Sequence, residues 1–231
     1  MAAGMGLRMK PVTLFTPKPM IKVNGKRMID TVIDGLIANG ITDINIVTGY
    51  LGHKFEELKE KYPDINLINN PLFDSCNNIS SLYAARELLD RDVIIADADQ
   101  IIYNNGILSP DFELSGYNAT KVTEETDEWV MTVEDGRVTS CSRTGGSEGW
   151  QLYSISRWSR EDALKLRELV ELEFEKNKNT DVYWDDIPMF LHPDRFELGI
   201  RIMDKSDLTE IDSFDELIAK DFHYCEDKGE L

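Results

Sequence analysis

The sequence predicts an α/β protein with a mostly parallel sheet, helices on both faces and a small antiparallel, lid-like insertion. Two observations carry this. Apolar residues alternate along the chain between helical spacing and short continuous runs, as expected where helices return the chain between parallel strands. The rhythm then breaks over residues 111 to 157, where EDGR at 134–137 reads as a turn between β-like runs.

Each element has its own warrant. Ile29, Val32, Ile33, Leu36 and Ile37 recur at helical spacing, with Gly40 placed to end the helix, and INIVTG at 44–49 follows as a buried strand. The pattern repeats: HKFEELKEKY at 53–62 is helical, INLINN at 65–70 extended, SSLYAARELL at 80–89 helical, and DVIIAD at 92–97 a strand ending in acid. Ser159 with Asp162 reads as a cap opening a long helix to about Lys176, and Ser213 with Glu216 opens the last one. At 231 residues and 42% hydrophobic content the chain can fill one large core, so the expectation is a single domain over 1–231 carrying its insertion at about 111–157.

Charge narrows the function. The formal net charge is −18, yet residues 1–29 hold Arg8, Lys10, Lys18, Lys22, Lys26 and Arg27 with no acid, leaving −24 for the rest. A mainly acidic surface repels nucleic acid, which is excluded as a general partner. A local basic island instead suits one small polyanion, such as a nucleoside triphosphate. No run reaches the ~20 apolar residues of a membrane span and the start lacks a secretory h-region, so a cytoplasmic protein with no membrane partner is expected. Cys76, Cys141 and Cys225 are widely spaced and read as free thiols, while His53, His192 and His223 show no metal spacing and read as loop or exposed residues.

The island carries a motif. A glycine turn at the end of a strand brings backbone N–H groups close to a phosphate. Ala2, Ala3, Gly4, Gly6, Arg8, Pro11 and Thr13, followed by Thr16-Pro17-Lys18-Pro19, form A-A-G-x-G-x-R-x-x-P-x-T and T-P-K-P. This pattern resembles the signature of the nucleotidyltransferase superfamily of sugar-1-phosphate nucleotidyltransferase type, whose fold is Rossmann-like. In that superfamily an apolar first strand precedes the alanines. Here one residue does, so either the first strand reads as truncated or another segment fills its place.

The resemblance assigns further roles. VIIADADQII ends a strand in carboxylates, where open α/β sheets place ligand chemistry. It implies Asp99 as an Mg2+ ligand with Asp97 beside it, and Asp212, in LTEIDSFDEL, as the second ligand. Two carboxylates with triphosphate oxygens suit Mg2+. Ala2, Ala3, Gly4 and Gly6 would lie along the nucleotide, with Arg8 and Lys18 as the catalytic cations.

Three more stretches, CNNISSLYAARELL, DEWVM and TDVYWDD, resemble the bacterial CTP:phosphocholine cytidylyltransferases of choline metabolism, with similarity running from Ala2 to about Lys220. That branch implies CTP and phosphocholine as substrates, and the 111–157 insertion as part of acceptor binding. Asn77, Asn78 and Ser81 fall where the superfamily reads base and ribose. Trp129, Tyr183 and Trp184, with Glu128 and Asp185 adjoining, supply the rings and carboxylates by which a quaternary ammonium is recognised. TGGSEGW at 144–150 reads as a lid. Two alternatives stay open: another acceptor, such as 2-aminoethylphosphonate or a sugar 1-phosphate, and a catalytically silent nucleotide- or choline-binding module.

Overall fold

The computed structural model describes residues 1–228. In chain order its regular elements begin with β1 (Lys22–Val23), β2 (Lys26–Arg27), α1 (Met28–Ala38), β3 (Asn45–Thr48) and β4 (Asn66–Asn69). Next come α2 (Ile79–Ala84), β5 (Val93–Ala96), β6 (Gln100–Ile102), β7 (Gly116–Lys121), β8 (Val130–Glu134), β9 (Arg137–Ser142) and β10 (Trp150–Trp158). The chain finishes with α3 (Arg160–Glu171), β11 (Gly199–Ile202), β12 (Leu208–Glu210) and α4 (Phe214–Lys220). Its contacts divide between two compact units, one of residues 1–75, 97–106 and 206–231, the other of 76–96 and 107–205. Among the described residues no helix is long and apolar enough to cross a membrane.

In the first unit α1 forms where its apolar spacing requires, and Gly40, at φ 78°, stops it. Ile29 and Ile33 are buried with Ile46, Phe55 and Leu58. Each such side chain contributes on the order of 1.5–3 kcal/mol by leaving water. The 53–62 segment winds tighter than an α-helix, as a 3-10 helix over Gly52–Glu60. Phe55 and Leu58, three apart and fully buried, suit its three residues per turn. β3 and β4 pair in parallel, and β6 pairs antiparallel with β12. α4 opens with the full Ser213–Glu216 capping box.

The second unit holds a six-stranded sheet of order β5-β10-β7-β11-β9-β8, in which β8 also pairs with the start of β10. The α/β class stands, with a more mixed sheet than strand and helix alternation alone suggests. The parallel pairs are β3–β4 and β7–β11, and the remaining strand pairs are antiparallel. Short connections enforce part of this: Asp135 and Gly136, both at positive φ, make the two-residue hairpin turn between β8 and β9. Residues 111–157, read as an insertion, fall within this unit and supply β7, β8, β9 and most of β10, and Ser159 caps α3 by accepting from the Asp162 N–H. Tyr117, Trp158 and Trp184 form the aromatic centre of the unit, with Tyr117 and Trp184 stacked at 6.1 Å and Trp158 edge-on to both.

Candidate active site

The glycine turn is anchored from below and left open above. Ala2 donates its N–H to the Val47 carbonyl at 2.8 Å, the Met1 carbonyl accepts from Ala98, and the Ala3 carbonyl accepts from Tyr50. The alanines are small and buried, as a backbone wedged between neighbouring strands requires. Gly6 sits at φ +58°, and a Cβ there would lie 3.0 Å from the Lys18 Cβ and 3.1 Å from the Thr13 Cγ2. The absence of a side chain at Gly6 therefore lets the loop close over Lys18. Gly4 faces open space, with nothing within 4 Å of where its Cβ would stand. Thr13 fastens the turn through a 2.9 Å hydrogen bond to the Gly6 carbonyl.

Four charged side chains meet beside this loop. β6 and β12 run antiparallel with Gln100 opposite Glu210, so Asp99 and Asp212 leave the same end of one ribbon. Thr31 of α1 fixes β6 by accepting from the Ile102 N–H and donating to the Gln100 carbonyl. Lys18 Nζ reaches both acids, at 2.7 Å from Asp99 Oδ2 and 2.6 Å from Asp212 Oδ1. Arg8 Nη2 lies 3.4 Å from the same Asp212 oxygen. Burial pulls the Lys18 ammonium down, but the two carboxylates outweigh it and leave its pKa raised. Burial pushes Asp212 up, and the Lys18 hydrogen bond and charge together with Arg8 hold it below its ordinary value.

The donor set fits a hard cation. Among the described residues no group of three or more His, Cys, Asp or Glu side chains is arranged to hold a metal. The ammonium of Lys18 stands where the two carboxylates converge. Two protein carboxylates leave the remaining positions of an octahedral shell to phosphate oxygens and water. Asp97 comes directly after β5, two residues before Asp99.

In the second unit the expected residues separate into two groups. Trp129 meets Tyr183 edge-on at 5.9 Å, and Phe190 edge-on at 5.1 Å. Tyr183 is 49% exposed, so this ring group is accessible. Trp184 is 3% exposed between Tyr117 and Trp158, which makes it core and takes it out of the cage. Asp185 is buried and raises the pKa of the fully buried Tyr117 hydroxyl, secondary to desolvation. Glu128 is exposed and contacts Thr126 through its backbone N–H.

The amides expected at base and ribose are partly engaged. Asn77 donates from Nδ2 to the Asp181 carbonyl and accepts on Oδ1 from the Asn78 N–H, while Asn78 Oδ1 accepts from the Trp184 N–H. They tie the start of α2 to the 180–184 segment. Asn78 Nδ2 is the amide group of the pair with no protein partner among the described residues. Ser81 is buried on α2.

Sequence reasoning missed Arg143 and Phe190. The Arg143 guanidinium lies 3.8 Å from the Phe190 ring centroid and 5.9 Å from that of Trp129. Its Nε and Nη2 donate to Asp186 Oδ1 at 2.9 and 2.5 Å, and Asp186 is 4% exposed. Phe190 had no signal, because IPMFL reads as any apolar run. Arg143 does adjoin the stretch read as a lid, and that stretch is held down: Thr126 and Gly146 exchange backbone hydrogen bonds at 3.1 and 3.0 Å. His192, read as a loop or exposed residue, lies at the bend after Leu191 and from there meets the buried Glu173 at 2.7 Å.

A glycine turn with two cations and two convergent carboxylates has the parts of an enzyme that handles a polyphosphate together with a divalent cation. The profile of the Nucleotidyl transferase family matches residues 1–114. The chain is 36% identical over 226 residues to a 2-aminoethylphosphonate cytidylyltransferase of Lancefieldella rimae, covering 97% of this chain and 91% of that one. It is 33% identical over 187 residues to a choline-phosphate cytidylyltransferase of Streptococcus pneumoniae, covering 81% and 80%. The solved structure of the CTP:phosphocholine cytidylyltransferase from Streptococcus pneumoniae superposes with a TM-score of 0.86 at 29% identity, over 98% of this chain and 96% of that one. The chain belongs to the nucleotidyl transferase family, and it is an enzyme of that transferase class.

Proposed function

We propose that the protein transfers CMP from CTP to a small phosphate or phosphonate bearing an ammonium group and releases pyrophosphate. The observation that carries this is a cation already seated on rings: Arg143 over Phe190 and Trp129, with the buried Asp186 behind it. A ring group that holds one organic cation has the chemistry to hold another. Phosphocholine, giving CDP-choline, is the acceptor the rings describe, since trimethylammonium donates no hydrogen bond and depends on aromatic faces.

A second reading, 2-aminoethylphosphonate, has its own support. Asp186 is bound by a cation that donates hydrogen bonds, as a primary ammonium does and trimethylammonium does not. A relative that matches 97% of this chain also bears that activity in its name.

In the reaction, Gly4 and Gly6 give the triphosphate close approach to backbone N–H groups, and Arg8 and Lys18 neutralise its charge. Asn78 Nδ2 is the donor left for the base. Asp99 and Asp212 would hold Mg2+, which shields the phosphate oxygens and makes the α-phosphorus more electrophilic. An acceptor oxygen forms a bond to that phosphorus in line as the bond to the pyrophosphate oxygen breaks. A phosphate monoester has its second pKa near ~6, so the attacking oxygen is already anionic and no general base is required. The rate then rests on positioning and charge neutralisation.

The test is pyrophosphate release with Mg2+ and CTP, comparing phosphocholine, 2-aminoethylphosphonate and glucose 1-phosphate. Turnover with either ammonium-bearing acceptor supports the reading and ranks the two. Turnover with glucose 1-phosphate alone overturns it, as does CTP binding without pyrophosphate release from either ammonium-bearing acceptor.

A further inference from the structure

A second cationic site lies within the sheet unit, away from the ring group. Trp129 enters β8, whose Val130 pairs with Gln151 near the start of β10, whereas Arg157 stands near the far end of β10. Six residues of strand separate those positions, roughly 20 Å at about 3.3 Å per residue. At that far end a cavity of about 510 Å³ is lined by Arg157, Arg201, Phe112, Leu114 and Tyr117, with Asp111 and Glu113 also on its wall. Its size is that of a small-molecule pocket.

Arg157 is 2% exposed, and an arginine so deeply buried ordinarily has a carboxylate partner. Here its acceptors are neutral: Nε donates to the Ser109 carbonyl, Nη1 to Asn118 Oδ1 and Nη2 to the Ile107 carbonyl. A guanidinium has five N–H donors, so one on each terminal nitrogen is left over. Arg201 adds a second positive charge and is tethered by donating to the Asp111 carbonyl. Among the described residues neither arginine makes an ion pair with Asp111, Glu113 or any other acid. Asp111 and Glu113 are exposed, where water screens their charge, while the arginine charge is buried. Burial, and then Arg201, pull the Arg157 pKa down to about 10, as expected of a cation whose charge the fold leaves uncompensated.

We infer that the cavity at Arg157 and Arg201 is a binding site for a small molecule carrying an oxyanion, phosphate or carboxylate, distinct from the ring group at Trp129. A guanidinium fork matches both anions in geometry and recovers, on binding, the charge partner that Arg157 lacks. The apolar side chains of Phe112 and Leu114 leave room for the carbon part of the ligand.

The experiment titrates the full chain with inorganic phosphate and, separately, with succinate, by calorimetry. It uses a Lys18→Ala background so that the glycine loop contributes little. The expected result is saturable binding of at least one anion, weakened tenfold or more by Arg201→Gln with an unchanged circular dichroism spectrum. The anion that binds names the source of the chemistry. No saturable binding of either, or binding that Arg201→Gln leaves unaltered, overturns the inference. If Arg201→Gln fails to fold, the Nε–H resonance of Arg157 in the unsubstituted chain decides: a saturable shift with either anion supports the site, and no shift with both removes it.

Discussion

Lys18 and Asp212, 194 residues apart in sequence, meet at 2.6 Å between Nζ and Oδ1, and the same nitrogen binds Asp99. One ammonium thus gathers the two carboxylates proposed for the metal, and it is itself a proposed phosphate ligand. Lys18→Ala removes a preorganised charge at the reacting phosphate, so turnover should fall about 10²- to 10³-fold. Circular dichroism should be unchanged, since the cluster stands beside the core. Pyrophosphate release within a few-fold of the unsubstituted chain would remove the role.

Asp99→Asn and Asp212→Asn should each raise the Mg2+ concentration needed for half-maximal turnover, because each deletes a charged oxygen ligand. Combining them should cost less than two independent losses, as both act on one ion. A double variant that keeps the ordinary Mg2+ dependence would place the ion elsewhere.

The cluster also has a pH signature. Asp212 is depressed in the folded chain, so its contribution is full above the ordinary carboxylate range and is lost as pH falls through the lowered value. Lys18 is raised, so its contribution is full below the ordinary lysine range and is lost as pH rises through the raised value. The Asp212 side chain is 38% exposed and screened, which limits the effect to under about 1 kcal/mol. The urea midpoint gap between the unsubstituted chain and Asp212→Asn should be flat around neutrality and close in acid. A gap that widens in acid would contradict the assigned sign.

Much of this was legible in the sequence because the signals are local. The Ser213–Glu216 box, the Gly40 stop and the Asp135–Gly136 turn depend on residues within a few positions of one another, and each appears as read. The convergence of Lys18, Asp99 and Asp212 was reachable through family resemblance, since no spacing along the chain encodes a meeting across 81 and 194 residues. Arg143, Phe190 and Trp184 were not legible. Which of two adjacent aromatics, Tyr183 or Trp184, turns inward depends on what awaits it, and the stack of Tyr117 and Trp158 takes Trp184.

That division predicts opposite phenotypes for neighbouring rings. Trp129→Leu should raise the acceptor KM by roughly 2- to 30-fold, the equivalent of ~0.5–2 kcal/mol of cation–π contact, with the CTP KM unchanged. Trp184→Ala should instead cost about 3–5 kcal/mol of stability by opening a cavity in the aromatic core. Steady-state kinetics and urea unfolding separate the two, and a Trp129→Leu chain with ordinary acceptor KM would dissolve the cage.

Glu173 and His192 supply a structural prediction independent of any substrate. Glu173 lies on a π-helical turn, Leu172–Lys176, that extends α3, and it is 3% exposed. His192 Nε2 approaches its carboxylate at 2.7 Å, Asn177 donates to it at 3.0 Å, and Asn179 donates to its other oxygen. Burial pushes the Glu173 pKa up, and His192, Asn177 and Asn179 outweigh that and hold it below the ordinary value. The carboxylate therefore stabilises the fold fully above the ordinary glutamate range, and the contribution is lost as pH falls through the lowered folded value. Glu173→Gln keeps the shape but exchanges charge-assisted hydrogen bonds for neutral ones, at a cost of about 1.5–3 kcal/mol near neutrality. The urea midpoint should drop accordingly at neutral pH and converge with that of the unsubstituted chain in acid, where Glu173 is protonated in both folded and unfolded states. Equal destabilisation at both pH values would mean that packing around the turn, and not the carboxylate charge, holds this corner of the sheet unit.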